Sequence, residues 1–172
     1  ARYGLDYASL ASVNPRLVYL SITGFGQTGP RAAEPGYDAA MQALSGLLAM
    51  SGEPDGPPVK TPVAFIDVLT GLHGAVGVLA ALHDRAARGV GAFIDLSLFE
   101  VAIASMVNQT QNAILTGEAP ARLGSAHPNI VPYQAFDAAD GAVVLAVGND
   151  AQFTRLCDVL GIPERAGDER FS

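Results

Sequence analysis

Along the chain, segments whose apolar residues have the pattern of a strand alternate with segments whose apolar residues have the spacing of a helix. An apolar, β-branched run predicts a buried strand at Leu17–Thr23, and similar runs predict strands at Ala92–Leu98 and Ala142–Val147. The spacing of apolar residues elsewhere predicts helices over residues 4–12, 37–50, 67–88, 99–115 and 151–160. Strands that alternate with helices favour an α/β fold.

Glycine and proline concentrate in three segments between these elements. A Gly- and Pro-rich loop is predicted from Gly24 to Gly36, and a turn-rich linker over residues 51–61. Residues 116–133 are predicted to be irregular because several prolines interrupt them. This third segment is therefore the best candidate for a linker between two domains.

The longest predicted helix opens at Asp67 and runs to about Arg88. It contains three glycines, Gly71, Gly74 and Gly77. Each glycine costs a helix about 1 kcal/mol of stability relative to alanine. Three glycines in one helix therefore suggest close packing against its backbone.

The composition of the 172 residues is that of a folded globular protein, with 49% hydrophobic and 16% charged residues. The formal charge is −7 and Lys60 is the only lysine, which argues against a nucleic-acid surface. No apolar run reaches the roughly 18 residues of a membrane span. We therefore expect neither a nucleic acid nor a membrane as a partner.

Cysteine and histidine are too few for several kinds of site. Cys157 is the only cysteine, so there is no disulfide framework, and a reducing cytosol fits this composition. The three histidines are scattered, and His73 and His83 do not fall on one helix face. A zinc site or other bound metal is therefore not expected.

A glycine motif follows the first predicted strand. Residues 24–29 read GFGQTG, which matches the G-x-G-x-x-G pattern of dinucleotide-binding folds. In those folds the third glycine enters a helix whose N-terminus holds the pyrophosphate. Here Pro30 follows at once, and Pro35 and Gly36 precede the next helix. We therefore interpret the motif as a structural or substrate-side loop rather than an NAD site.

Asp67 has two interpretations at the predicted start of the long helix. Aspartate is a favoured N-cap, so a purely structural role fits its position. A helix N-terminus also stabilises a carboxylate anion, while the apolar residues beside it limit its hydration. An ionised but poorly hydrated carboxylate is a usable nucleophile. Position alone favours the cap.

Tyr37 and Asp38 stand at the head of the preceding helix. The Tyr37 hydroxyl is a potential donor to an oxyanion, and the structural alternative is a packed aromatic ring. Asp38 suits the first helical turn, where an acidic residue stabilises the helix dipole. These residues on their own favour the structural alternative.

Several segments together resemble the family III CoA-transferases, also called the L-carnitine dehydratase/bile-acid-inducible protein family. The matching segments follow the family's order along nearly the whole chain: Asn14–Tyr19, Ser21–Gly26, Gly36–Asp38, Gln42–Gly46, Gly52–Pro58, Asp67–Gly71, Asp95–Leu98, His127–Pro128 and Pro132–Tyr133. Each motif is weak alone, but their order and spacing together are specific.

The resemblance assigns roles to particular residues. The family's nucleophilic aspartate falls on Asp67, and its active-site tyrosine falls on Tyr37, at the family's spacing. An Arg-x-Gly motif that contacts CoA falls on Arg2 and Gly4, so Arg2 and Tyr3 are the expected CoA-binding residues. The resemblance implies no permanently bound cofactor, since the coenzyme A thioester is a substrate.

The same resemblance implies a fold and an assembly. Residues 1–115 are expected to form part of a Rossmann-like large α/β domain, 116–133 a linker, and 134–172 the start of a small domain. Family members are about twice this length or more, so we expect an internal fragment. The full-length subunits are expected to form an interlocked cytoplasmic homodimer that acts on an acyl-CoA and a carboxylic acid.

Three features depart from the family pattern. Pro35 stands where some members carry a lysine that contacts CoA, which puts that contact in doubt. The usual Gly-x-Gly-Gln appears as Gly-Val-Gly-Ala at residues 89–92. The glycine-rich lid of the formyl-CoA enzymes has no obvious counterpart in the sequence.

The racemase branch of the superfamily places histidine where Tyr37 stands. Racemisation of an acyl-CoA needs a base on each face of the α-carbon. Tyrosine is a poor base at neutral pH, so Tyr37 favours CoA transfer. A 2-methylacyl-CoA racemase or isomerase is one alternative, and an inactive fragment with only a structural role is another.

Overall fold

The computed structural model describes residues 3–171, which form two compact units. The first unit comprises the residues up to Ser51 together with Pro58–Ala121. The second comprises Gly52–Pro57 together with the residues from Arg122 onward. Helices and strands are mixed, which confirms the expected α/β class. The assignment of a large domain, a linker and a small domain stays a prediction.

The first unit is built on two parallel strands. These are β1 (Val18–Thr23) and β2 (Ala92–Ser97), and they confirm the two apolar runs predicted there. Val18 lies opposite Ala92 at the start of the pair, and Thr23 lies opposite Ser97 at its end. The helices of this unit are α1 (Tyr7–Val13), α2 (Asp38–Leu44), α3 (Leu47–Met50), α4 (Phe65–Arg88), α5 (Leu98–Ser105) and α6 (Val107–Thr116).

Two predicted helices are each divided in the structure. The helix predicted over residues 37–50 ends at Leu44 and restarts at Leu47, because Gly46 takes a left-handed φ of 93°. The helix predicted over 99–115 is interrupted at Met106, and the next residue, Val107, has a φ of 42°. The helical spacing of apolar residues continues across each break, so the sequence pattern predicted one helix in both places.

Helix α4 runs antiparallel to the two strands. Gly74 lies against Leu20, and near the other end of the helix the Arg85 guanidinium donates to the Arg16 carbonyl at 3.2 Å. The residues that precede β1 therefore meet the C-terminal part of α4. The N-terminal turn of α4 consequently lies at the carboxyl ends of β1 and β2, where α/β sheets usually place their ligands.

The glycines of α4 differ in their surroundings. A Cβ added at Gly74 would lie 3.0 Å from a Leu20 methyl carbon, and one at Gly77 would lie 3.6 Å from Ile94. The predicted close packing is therefore confirmed at Gly74, whereas a Cβ at Gly77 would make an ordinary van der Waals contact. Gly71 has open space beside it, so close packing within the described residues does not account for that glycine.

Helix α4 also has the length and composition of a membrane-spanning helix, with a mean hydropathy of 1.8 over an 18-residue window. No uninterrupted apolar run in α4 reaches 18 residues, as expected, because polar residues such as Asp67 and His73 divide it. Only 17% of this window is buried, although one side of α4 packs on both strands, α2 and α5. Its outer face is an exposed apolar stripe: Val68, Leu72, Val76 and Leu79.

The buried core of the first unit lies where α2, α4 and α5 meet. Met41, Ile66, Leu98 and Ala102 form its centre. Three half-buried side chains, Phe25, Leu47 and Phe99, pack around them. This core fixes the start of α4 against α2, because Ile66 belongs to the first turn of α4 and Met41 to α2.

The second unit contains an antiparallel hairpin and a helix. Its strands are β3 (Tyr133–Ala138) and β4 (Gly141–Ala146), followed by α7 (Asp150–Leu160) and short 3₁₀ helices at Pro163–Gly167 and Glu169–Phe171. β4 and α7 were predicted, but β3 was missed because its sequence, YQAFDA, is not a clear apolar run. Gly52 joins this unit, where its carbonyl accepts from the Gly124 N–H at 3.0 Å.

Candidate active site

The first turn of α4 places Asp67 beside a core residue. α4 begins at Phe65 with Ala64 as its N-cap, so Asp67 is the third residue of the helix. The interpretation of Asp67 as the N-cap is therefore wrong. Ile66 is 1% exposed in the core, whereas the neighbouring Asp67 side chain is exposed. The poorly hydrated setting expected for this carboxylate is accordingly not found within the described chain.

The Asp67 carboxylate has no polar partner in the described part of the chain. Among residues 3–171 it has no hydrogen-bond or ion-pair partner, and its backbone N–H is the only group of this residue that contacts another polar side chain. The start of a helix carries partial positive charge from its free N–H groups. An anion held there is stabilised and remains open to a reactant.

Asp38 supplies the cap that α4 lacks in its own sequence. The Ile66 N–H donates to Asp38 Oδ1 at 2.7 Å, and the Asp67 N–H lies 3.4 Å from the same oxygen. Asp38 is itself in the first turn of α2, as expected, but its side chain is only 9% exposed. No local pattern predicts this cap, because the bond joins residues 28 positions apart.

Gln42 holds the other oxygen of Asp38. Its Nε2 donates to Asp38 Oδ2 at 2.7 Å, and its Oε1 accepts from the Thr61 N–H at 3.0 Å. Gln42 is fully buried. The sequence analysis missed Gln42 as a site residue, although its position one helical turn after Asp38 was a usable signal.

Tyr37 is presented to solvent next to this cap. Its side chain is 75% exposed, so the alternative of a packed aromatic ring is wrong. Its carbonyl accepts from the Met41 N–H at 3.0 Å, which ties its backbone to the start of α2. Because Asp38 bonds to the first turn of α4, the structure brings the Tyr37–Asp38 pair to the same helix end as Asp67.

The glycine loop after β1 supports this arrangement. A Cβ added at Gly24 would lie 2.8 Å from the Gly36 Cα, so the two backbones cross in near contact immediately before Tyr37. The Gln27 N–H donates to Asp95 Oδ2 at 2.8 Å, which holds the loop over the end of β2. No helix starts in the described chain between this loop and Asp38, so the helix that a pyrophosphate site requires is absent there.

The expected CoA-binding residues are less well defined. Arg2 lies outside the described residues, and Tyr3 is 76% exposed. The following segment is anchored where Tyr19 donates to the Leu5 carbonyl at 3.0 Å and its ring makes tilted contacts with Tyr7 and Phe93. Tyr19 and Phe93 lie near the amino ends of the strands. This anchor is therefore at the opposite end of the strands from Asp67.

The described residues contain no group of three or more histidine, cysteine or carboxylate side chains that could hold a metal ion. The site thus consists of an exposed carboxylate at a helix start, a buried carboxylate that caps that helix, and an exposed phenol. Such a set can attack an activated carbonyl and donate to an oxyanion.

A family model described as CoA-transferase family III matches residues 1–172. This chain belongs to CoA-transferase family III. The family III chain is 51% identical over 172 residues to the succinate–glutarate CoA-transferase of Agrobacterium fabrum, covering 100% of this chain and 43% of that protein. It is 44% identical over 171 residues to the acetyl-CoA:oxalate CoA-transferase of Acetobacter aceti, covering 99% of this chain and 44% of that protein.

Solved structures agree with the family III assignment. A CaiB/BaiF family protein from Brucella suis matches with a TM-score of 0.79 and 48% identity, over 99% of this chain and 45% of that chain. A protein from Mycobacterium tuberculosis matches with a TM-score of 0.81 and 30% identity, over 99% of this chain and 44% of that one. The family III chain thus spans less than half the length of the relatives it matches.

Proposed function

We propose that the full-length protein containing this chain transfers CoA from an acyl-CoA donor to a carboxylic acid through an aspartyl-CoA thioester on Asp67. The observation that carries this proposal is the exposed Asp67 carboxylate at the start of α4, which has no partner among residues 3–171. Membership of CoA-transferase family III supports the reaction class. The names of its relatives favour short dicarboxylic acids as substrates.

Asp67 plays two roles in the reaction. Its carboxylate first attacks as a nucleophile, and its acyl carbon is then attacked twice as an electrophile. The Asp67 carboxylate attacks the donor thioester carbonyl, the C–S bond breaks, and the products are CoA thiolate and a mixed anhydride. The thiolate then attacks the Asp67 acyl carbon and releases the donor acid as its carboxylate. The acceptor carboxylate displaces the thiolate by the same attack, and the thiolate finally takes the acceptor acyl group. Asp67 is regenerated without a net change in protons.

Each attack places negative charge on a carbonyl oxygen. The exposed Tyr37 hydroxyl and backbone N–H groups near the helix start would donate to that oxygen in the transition state. Arg2 and Tyr3 would contact the CoA portion of the substrate. The proposed protein is a cytoplasmic, interlocked homodimer, and no permanently bound cofactor takes part in these steps.

Trapping the intermediate tests the proposed function. The full-length protein is mixed with succinyl-CoA or acetyl-CoA in the absence of an acceptor acid, quenched in acid, and digested. We expect a CoA adduct on the peptide that contains Asp67, located by tandem mass spectrometry. An adduct on another residue, or none on a protein that turns over, would contradict the proposed role of Asp67.

Solvent exchange separates transfer from racemisation. With the full-length protein and a 2-methylacyl-CoA in deuterated water, we expect no deuterium at the α-carbon, because Tyr37 replaces the histidine base of the racemases. Mass spectrometry of the recovered thioester measures this incorporation. A mass gain of one unit at a rate comparable with turnover would instead establish an isomerase.

A further inference from the structure

A chain of directional hydrogen bonds runs through the buried side of the site. The Thr61 N–H donates to Gln42 Oε1, Gln42 Nε2 donates to Asp38 Oδ2, and the Ile66 N–H donates to Asp38 Oδ1. The three distances are 3.0, 2.7 and 2.7 Å. Since the Thr61 N–H can only donate, the orientation of the Gln42 amide is fixed, and its NH₂ group must face Asp38.

This network places a buried carboxylate under the backbone of the reacting turn. Ala64 offers no capping side chain to α4, so the free N–H of Ile66 would have no partner without Asp38. The two carboxylate oxygens of Asp38 are both occupied by neutral donors, and neither has a Lys or Arg partner among the described ion pairs. The position of Asp38 is therefore set by hydrogen-bond geometry, with Gln42 as its support.

The network reaches Asp67 through its backbone. Ile66 is one residue before Asp67, and the Asp67 N–H points at the same Asp38 oxygen at 3.4 Å. A shift of this turn would move the Asp67 carboxylate as a rigid part of the helix. Misplacing a reacting group by about 1 Å costs on the order of a hundredfold in rate.

We propose that Asp38 is a positioning residue that holds the first turn of α4, and with it the nucleophile, and that Gln42 orients Asp38. This inference rests on the proposed function of Asp67. Asp38 acts through backbone N–H groups and does not touch the substrate. It sets where the Asp67 carboxylate stands when the donor thioester arrives.

The test exchanges the amide and the carboxylate within the pair. Asp38→Asn in the full-length protein places an NH₂ group against the NH₂ group of Gln42, so the bond between them is lost and the cap is displaced. We expect kcat for transfer from succinyl-CoA to fall about a hundredfold, with KM for the donor little changed. The double variant D38N/Q42E restores every donor and acceptor in the network, and we expect kcat within about tenfold of wild type.

A control separates positioning from general loss of stability. Ser97 caps α5, where its Oγ accepts from the Glu100 N–H at 3.1 Å, and it is fully buried. Ser97→Ala should lower the thermal midpoint while kcat stays at the wild-type value. If the two variants lower the thermal midpoint of unfolding by the same amount, Asp38→Asn should still lower kcat far more than Ser97→Ala does.

Two results would overturn the role of Asp38. One is a kcat for the Asp38→Asn variant that equals the kcat of the wild-type protein. The other is a folded D38N/Q42E protein that remains a hundredfold or more below wild type, and this measurement decides the matter if the single variant does not fold. The adduct on the Asp67 peptide separates this role from the proposed function. If wild type forms that adduct and Asp38→Asn forms it equally fast, only the positioning role fails; if wild type does not form it, the proposed function fails.

Discussion

Asp67→Asn is expected to lower the rate of CoA transfer by about a thousandfold or more, because an amide cannot form the mixed anhydride. The fold should survive this change. Asp67 is the third residue of α4, and its side chain has no partner among the described residues. The substitution therefore removes only the favourable interaction of a charge with the helix dipole, worth roughly 0.3–1 kcal/mol.

The measurement is a transfer assay with succinyl-CoA and glutarate, alongside circular dichroism and a urea unfolding curve for each protein. Asp84→Asn is the matched control, because it removes a carboxylate near the other end of the same helix, where it pairs with Arg88. The control should keep the wild-type rate. If Asp67→Asn keeps more than about a tenth of that rate, a barrier change below about 1.4 kcal/mol, the proposed covalent role is wrong.

Gly91→Ala is expected to lower the free energy of unfolding by about 3 kcal/mol, the upper end for overpacking. A Cβ at this position would lie 1.9 Å from the Leu17 carbonyl oxygen and 2.5 Å from its carbon. These are backbone atoms of the residue just before β1, so no side-chain rotation relieves the clash. The Gly91 N–H also donates to the Pro15 carbonyl at 2.8 Å, and moving the residue would break this bond.

Gly89→Ala provides the comparison for Gly91→Ala. Gly89 ends α4 with a left-handed φ of 77°, and a Cβ there would meet nothing closer than the Arg16 guanidinium at 3.8 Å. Its substitution should cost only the left-handed strain, about 1–2 kcal/mol. Urea unfolding of the two variants in the full-length protein measures the difference. Equal losses in both would show that the close approach at Gly91 relaxes without cost.

The sequence predicted the elements whose signal is local. β1 is an apolar run with β-branched residues and β2 carries the apolar Phe93, Ile94 and Leu96, and the structure contains both. α2 and α3 were predicted as one helix because the apolar spacing continues across Gly46, which takes a left-handed φ of 93°. β3 was missed because its pairing with β4, more than its own composition, makes it a strand.

The same holds for the candidate site: some of its residues were predicted from the sequence, and its long-range contacts were not. Asp67 and Tyr37 were found from motif order, and their roles stay predictions. The capping bond from Asp38 to Ile66 was invisible to the sequence, because a helix start was expected to carry its own cap. The sequence also did not predict that Gly52–Pro57 belongs to the second unit, since a turn-rich segment has no pattern that specifies its contacts.

The adjacency of Ile66 and Asp67 bears on how this protein can be engineered. One residue anchors the core formed with Met41 and Leu98, and the next carries the proposed chemistry. Larger side chains introduced at Met41 or Leu98 to raise thermostability would press on the turn that holds the carboxylate. Variant libraries designed to raise stability therefore need to leave Met41 and Leu98 unchanged. Substitutions on the outer surface of α6 or in the hairpin of the second unit would not press on this turn.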